Sequence, residues 1–147
     1  MTGLSVAELQ QKTFEDESAM DFGFPDVDCG MKPYDSRIIV QIRVPRTTTP
    51  GGLVIPEEAR ETEKWNTQVA KVIMLGPVAF KNRDTLEPWK EGEWCQAGSF
   101  VRVPKYGGDR WEVPVPDRQD PALFAVFNDL DIIGEFTGDP LAVKAFI

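Results

Sequence analysis

The apolar residues of this chain fall into short segments that prolines and glycines separate. The clearest segment runs from Ser36 to Val44, where β-branched residues recur at every second position. This alternation is typical of a β-strand. Five further segments have strand character: Thr67 to Leu75, Phe100 to Val103, Arg110 to Val113, Leu123 to Phe127 and Leu130 to Phe136. Six short strands with no substantial helix between them predict an all-β fold, a small closed or partly closed barrel.

The side chains of the first strand divide into two sets. We expect Ile38, Val40, Ile42 and Val44 to share one face, and Ile39, Gln41 and Arg43 to occupy the other.

Composition excludes several classes of protein. A length of 147 residues predicts about one domain, and a net charge of −8 argues against electrostatic binding of nucleic acid or anionic lipid. The chain has no histidine, which removes Ser-His-Asp and Cys-His catalysis. Cys29 and Cys95 form neither a CxxC metal site nor a disulfide framework. This cysteine usage fits a reducing cytosol. The N-terminus has no signal-peptide pattern, and no apolar run approaches the roughly 20 residues that span a bilayer.

Catalytic patterns are also missing. The sequence has no P-loop, GxGxxG or nucleophile elbow. The acid pairs Glu57-Glu58 and Asp129-Asp131 are interpreted as solvated loop charges, and Cys95 as a small packed residue with no base to activate it. We therefore predict no catalytic, cofactor-binding or metal-binding residue.

The two ends of the chain differ from its middle. Residues 1–31 carry seven acids against one base, so we expect an acidic, partly ordered N-terminal extension. Phe14, Phe22 and Phe24 are its candidates for docking on the barrel wall. Residues 137–147 form a C-terminal tail.

Two long stretches interrupt the strands. Residues 45–66 contain Gly51-Gly52 followed by Leu53, Val54 and Ile55, an apolar run inside a polar, turn-rich segment. Composition leaves two interpretations open: a ligand presented from a flexible tether, or a core strand. Residues 77–96 mix Phe80, Trp89 and Trp94 with charges of both signs, which favours a mixed-charge hairpin over a single-strand nucleic-acid surface.

Six motifs occur in order along the chain: Lys32–Val40, Gly51–Pro56, Gln68–Gly76, Ala97–Val103, Lys105–Gly108 and Phe124–Gly134. Together, from about Lys32 to Phe136, they resemble the GroES-like family of ten-kilodalton co-chaperonins. Gln68 stands where the family usually has a small residue, and Ser99 where it has aspartate. The segment 77–96 is also longer than the typical roof hairpin, divergence that would suit a bacteriophage-encoded or divergent bacterial member.

The resemblance implies a small, irregular GroES-like β-barrel over residues 32–136 that assembles as a homoheptameric ring. Such a ring caps an ATP-driven, GroEL-like chaperonin and encloses substrate protein for folding. The ATPase lies in the partner, so the chain is expected to be no enzyme, to need no cofactor, to bind neither nucleic acid nor membrane, and to act in the cytoplasm, that of the host if phage-encoded.

Site residues follow from the same resemblance. Residues 45–66 correspond to the mobile loop, with chaperonin-binding residues Gly51, Gly52, Leu53, Val54 and Ile55. Residues 77–96 correspond to the roof hairpin, with candidate chamber-lining residues Phe80, Lys81, Arg83 and Trp89.

Subunit contacts and alternative functions complete the expectations. Strands Ser36–Val44 and Leu130–Phe136 are the candidates for pairing between subunits. Removal of residues 1–30 is expected to leave assembly largely intact. A virion or scaffold docking module, and a single-strand-binding barrel, are the alternative functions.

Overall fold

The computed structural model describes residues 20–45 and 67–142, and it is built around one antiparallel sheet. Its strands are β1 (Arg37–Ile42), β2 (Val69–Leu75), β3 (Phe100–Arg102), β4 (Asp109–Val113), β5 (Ala122–Asn128) and β6 (Gly134–Glu135). They lie in the order β4-β5-β1-β2-β3-β6. The all-β prediction is confirmed. Within the described residues, β4 and β6 each pair with one neighbour, so the sheet has two edges there.

β1 is the centre of the sheet. It pairs with β5 on one side and with β2 on the other, with a register shift between Ile39 and Val40 on the β2 side. The predicted alternation is confirmed: Ile38, Val40, Ile42 and Val44 join the main core cluster, while Ile39 joins a second cluster on the opposite face. Both faces of this strand are therefore buried.

The central position of β1 corrects one expectation. A strand that pairs between subunits needs a free edge, and β1 already has a hydrogen-bonded neighbour on each side. The segment Ser36–Val44 therefore cannot supply the backbone pairing of a subunit contact.

The predicted strand Leu130–Phe136 is wrong over most of its length. Asp129–Asp131 forms a 3-10 helix, and β6 covers only Gly134–Glu135. Leu130 and Ile133 are exposed while Ile132 is buried, which does not follow strand alternation. The Asn128 N–H donates to Asp131 Oδ2, a side-chain contact that favours a helical turn over continued pairing.

The second face of the sheet is covered by residues 24–29. Phe24 and Cys29 are buried, and the Gln41 side chain donates to the Pro25 carbonyl oxygen at 2.7 Å. At the far side of the sheet, Trp111 Nε1 donates to the Cys29 carbonyl oxygen at 2.9 Å. The predicted docking of the extension is confirmed for Phe24 and for Phe22, which packs against the main core. Phe14 lies outside the described residues.

Among the described residues, no helix is both long enough and apolar enough to span a bilayer.

Candidate functional site

The strongest sequence candidate connects β1 to β2. Its residues Gly51, Gly52, Leu53, Val54 and Ile55 lie outside the described residues, as do Glu57 and Glu58. The structure does describe where the chain leaves and rejoins the sheet, at residue 45 and residue 67. Because β1 and β2 are antiparallel neighbours, both points lie at the same end of the sheet, and Arg43 N donates to Val69 O at 3.0 Å.

Gln68 fixes the point where the chain rejoins the sheet. Its Nε2 donates to the Val103 carbonyl oxygen at 3.2 Å, and its Oε1 accepts from Arg102 at 3.1 Å. In return, Val103 N donates to the Gln68 carbonyl oxygen at 2.9 Å. These bonds give the long side chain of Gln68 a structural role.

The second candidate region forms a hairpin over residues 80–89. Lys81 bridges to Pro88, Trp89 N donates to Phe80 O at 3.0 Å, and Asn82 Oδ1 accepts from the amides of Asp84 and Thr85. The asparagine side chain thereby stabilises the turn.

Three aromatic rings hold this hairpin to the core. Phe80, Trp89 and Trp94 lie with ring centroids 5.0–5.6 Å apart. Phe80 is fully buried, so it cannot line a chamber, and this corrects its assignment. Trp89 and Lys81 are half-buried, whereas Arg83 is exposed and pairs with Asp35.

Asp129 anchors the hairpin to the rest of the fold, a role that the sequence does not indicate. Asp129 is 5% exposed, and its Oδ2 accepts from the Phe80 amide at 3.0 Å while its Oδ1 accepts from the Leu130 amide at 2.8 Å. Interpreted from sequence as a solvated charge, Asp129 is instead a buried anchor. An open cavity of about 420 Å³ lies beside it, bordered by Lys81, Arg83 and Trp89.

The described residues give no support to catalysis. Cys95 is buried, and burial, with smaller effects of Glu135 and Glu93, raises the pKa of its thiol to about 11. The thiol is therefore protonated at neutral pH and is a poor nucleophile. Asp131 is exposed while Asp129 is occupied by two amides, so they form no acid-base pair. Within residues 20–45 and 67–142, no three side chains of the types that bind metals cluster together.

Comparison with known proteins decides the family. The profile of the family described as chaperonin 10 kDa subunit matches residues 30–135. The chain belongs to this family. Its strands β1 to β6, the segment between β1 and β2 and the 80–89 hairpin all lie inside the matched region. The chain is thus a co-chaperonin, as the sequence motifs indicate.

Individual relatives agree with this assignment. A co-chaperonin GroES of Corynebacterium jeikeium is 40% identical over 78 residues, 53% of this chain and 71% of that protein. A co-chaperonin GroES of Corynebacterium efficiens is 43% identical over 78 residues, with the same shares covered. The 10 kDa mitochondrial heat shock protein of Oryzias latipes is 26% identical over 104 residues, 71% of this chain and 91% of that protein. Residues before 30 and after 135 lie outside the family match.

Proposed function

We propose that this co-chaperonin caps a GroEL-like chaperonin ring through Gly51, Gly52, Leu53, Val54 and Ile55. The observation that carries the proposal is the place of this apolar run in a chain of the chaperonin 10 kDa family. It lies in a polar segment whose two ends are adjacent at one end of the sheet. Such a segment can present a short apolar ligand without disturbing the strands that flank it.

The energetics suit a reversible lid. Burying three large apolar side chains stabilises a complex by about 4–8 kcal/mol before costs. Ordering the loop removes much of this gain. One loop therefore binds weakly, and several loops on one ring act together to raise avidity. Weak contacts that add together permit release when the chaperonin changes conformation.

We propose that the ring is a homoheptamer and that β6 lies at the subunit contact. Its pairing with β3 leaves its other edge without a strand among the described residues. Beside this edge, Trp94, Cys95, Val101 and Ile133 border a cavity of about 240 Å³. Ile133, which borders this cavity, is exposed in the monomer. A strand from a neighbouring subunit would cover this apolar surface.

The remaining roles follow from the ring. Residues 80–89 would form the roof, where Lys81, Arg83 and the half-buried Trp89 supply the surface that faces substrate protein. The ATPase would reside in the chaperonin, so the co-chaperonin itself catalyses no reaction. We propose that it acts in the cytoplasm, that of the host if a bacteriophage encodes it.

The test is the variant Ile55→Asp, with Leu86→Asp as a matched control that places the same charge on an exposed residue of the hairpin. Binding to a GroEL-like chaperonin with ADP or ATP is measured by surface plasmon resonance, and ring size by native mass spectrometry. We expect Ile55→Asp to form rings and to bind at least tenfold more weakly, because a charge enters an apolar groove. Leu86→Asp should bind normally.

Proteolysis gives an independent readout. Arg46, Arg60 and Lys64 are trypsin sites in the same segment, and chaperonin binding should protect them. If Ile55→Asp unfolds the free protein, the segment is a core strand and the proposal fails. Undiminished binding by the folded variant would likewise exclude the tripeptide as the binding element. A monomer in the presence of chaperonin would refute the ring.

A further inference from the structure

The sheet holds both ends of the chaperonin-binding segment, and the N-terminal extension holds one of them in addition. Its C-terminal end is fixed by Gln68, through Arg102 and Val103, all inside the region that matches the family. At its N-terminal end, Val44 N donates to the Gly23 carbonyl oxygen at 2.9 Å. Gly23 precedes the family match, so this contact is an addition made by the N-terminal extension.

Arg118 holds the extension in this position. Its NH1 donates to the Phe22 carbonyl oxygen at 2.9 Å, and its Nε donates to the Asp120 carbonyl oxygen at 2.8 Å. The guanidinium also lies 4.6 Å from the centre of the Phe22 ring. One side chain thus fixes both the backbone and the ring of Phe22, the residue next to Gly23.

Two further residues, Phe100 and Leu141, lie beside this part of the extension. The Phe24 ring packs edge-on against Phe100, with centroids 5.1 Å apart. Gly23 also lies against the C-terminal tail, because a Cβ placed on it would come 3.7 Å from Leu141 Cδ2. Leu141 follows Pro140 in a short 3-10 helix that also lies outside the family match.

We propose that residues 22–24, held by Arg118 and Leu141, form a clamp that positions Val44 and thereby strengthens chaperonin binding. The inference rests on the proposed role of the segment between β1 and β2. Residues already ordered in the free protein lose no further backbone entropy on binding. The clamp therefore lowers the cost of binding at the end of the segment nearest Gly51, without contacting the chaperonin.

The experiment uses the full chain and two clamp variants, Arg118→Ala and Leu141→Ala. The matched control is Arg37→Ala, which removes an exposed arginine at the opposite end of β1. Hydrogen exchange of the Val44 amide reports the clamp directly. Chaperonin affinity and ring size are measured on the same samples. Leu141→Ala keeps the test valid if Arg118→Ala folds poorly, since the tail contact is peripheral.

We expect Val44 exchange to accelerate in both clamp variants and chaperonin affinity to fall about fivefold, the effect of ordering roughly one additional backbone residue. Rings should persist, and Arg37→Ala should change neither quantity. Unchanged Val44 exchange in both variants would refute the clamp. Faster exchange with affinity equal to that of the control would show that the extension has a structural role only, and would overturn the positioning role.

These measurements distinguish failure of the clamp from failure of the proposed binding role of the segment. If Ile55→Asp leaves chaperonin affinity unchanged, the binding role of the loop fails and the positioning role fails with it. Val44 exchange still shows whether Arg118 and Leu141 restrain this end of β1.

Discussion

Asp129 offers the sharpest test of how the hairpin is attached to the sheet. Asp129→Ala leaves the buried Phe80 amide without an acceptor, which costs about 1–3 kcal/mol, and removes the Leu130 bond, worth about 1 kcal/mol. The sum predicts a loss of about 2–4 kcal/mol in the free energy of unfolding. Phe80 also has a φ of 60°, a conformation of the kind that persists only when its surroundings hold it. Asp129→Asn should cost less, because the amide keeps one acceptor oxygen.

Urea unfolding followed by tryptophan fluorescence measures this loss. Trp89 and Trp94 contact Phe80, so their emission should also shift towards the red in folded Asp129→Ala. Asp131→Ala is the matched control, since its carboxylate lies in the same 3-10 helix but is exposed and accepts only a 3.4 Å bond. We expect the control to lose no more than about 0.5 kcal/mol. Equal midpoints for the two alanine variants would refute the anchoring role of Asp129.

Three further predictions address the rest of the fold. Gly76→Ala should destabilise the protein by at least about 2 kcal/mol in thermal unfolding, because its Cβ would lie 2.3 Å from the Asp35 carbonyl oxygen, whereas Gly138→Ala, in open space, should be neutral. Burial raises the pKa of the Cys95 thiol from 9.0 to about 11. The stability that the protonated thiol contributes is therefore fully present below pH 9 and declines between pH 9 and 11, because the thiol ionises first in the unfolded chain. The variant Cys95→Ala should lack this part of the decline. Removal of residues 1–19 should leave the melting temperature unchanged. Removal of residues 1–31 should lower it, because only this deletion exposes Ile39 and Phe124. Equal melting temperatures for the two deletions would contradict the packing described for Phe24 and Cys29.

Five of the six predicted strands, β1 to β5, appear within two residues of their predicted bounds. β1 and β5 carry apolar residues on both faces, and each appears within a residue or two of its predicted bounds. Leu130–Phe136 is less apolar than β5, and two contacts accompany its 3-10 turn: a local one from Asn128 N to Asp131 Oδ2, and one in which Asp129 accepts from the Phe80 amide, 49 residues away in sequence. The second contact joins segments that are distant in sequence, so local composition gives no sign of it.

The candidate functional residues divide in the same way, into those that local sequence identifies and those that depend on contacts between distant segments. The apolar run Leu53-Val54-Ile55 stands out in composition, whereas the roles of Asp129 and Arg118 depend on contacts between distant segments. Phe80 was misassigned because an aromatic residue among charges is equally compatible with a chamber surface and with a core anchor. Gln41 did carry a usable signal: a polar residue in an apolar strand needs a buried partner, and the Pro25 carbonyl supplies it.

The composition of β1 explains why the extension belongs to the fold. The run Ile38-Ile39-Val40-Gln41-Ile42 places apolar side chains on both faces, and the main core covers only one of them. Residues 24–29 cover the other face, and hydrogen bonds from Gln41 and Trp111 fix their path. This path begins beside Val44, at the end of β1 from which the proposed chaperonin-binding segment departs. The same residues that bury the second face of β1 are therefore placed to restrain the segment, so sheet stability and chaperonin affinity should be coupled through them.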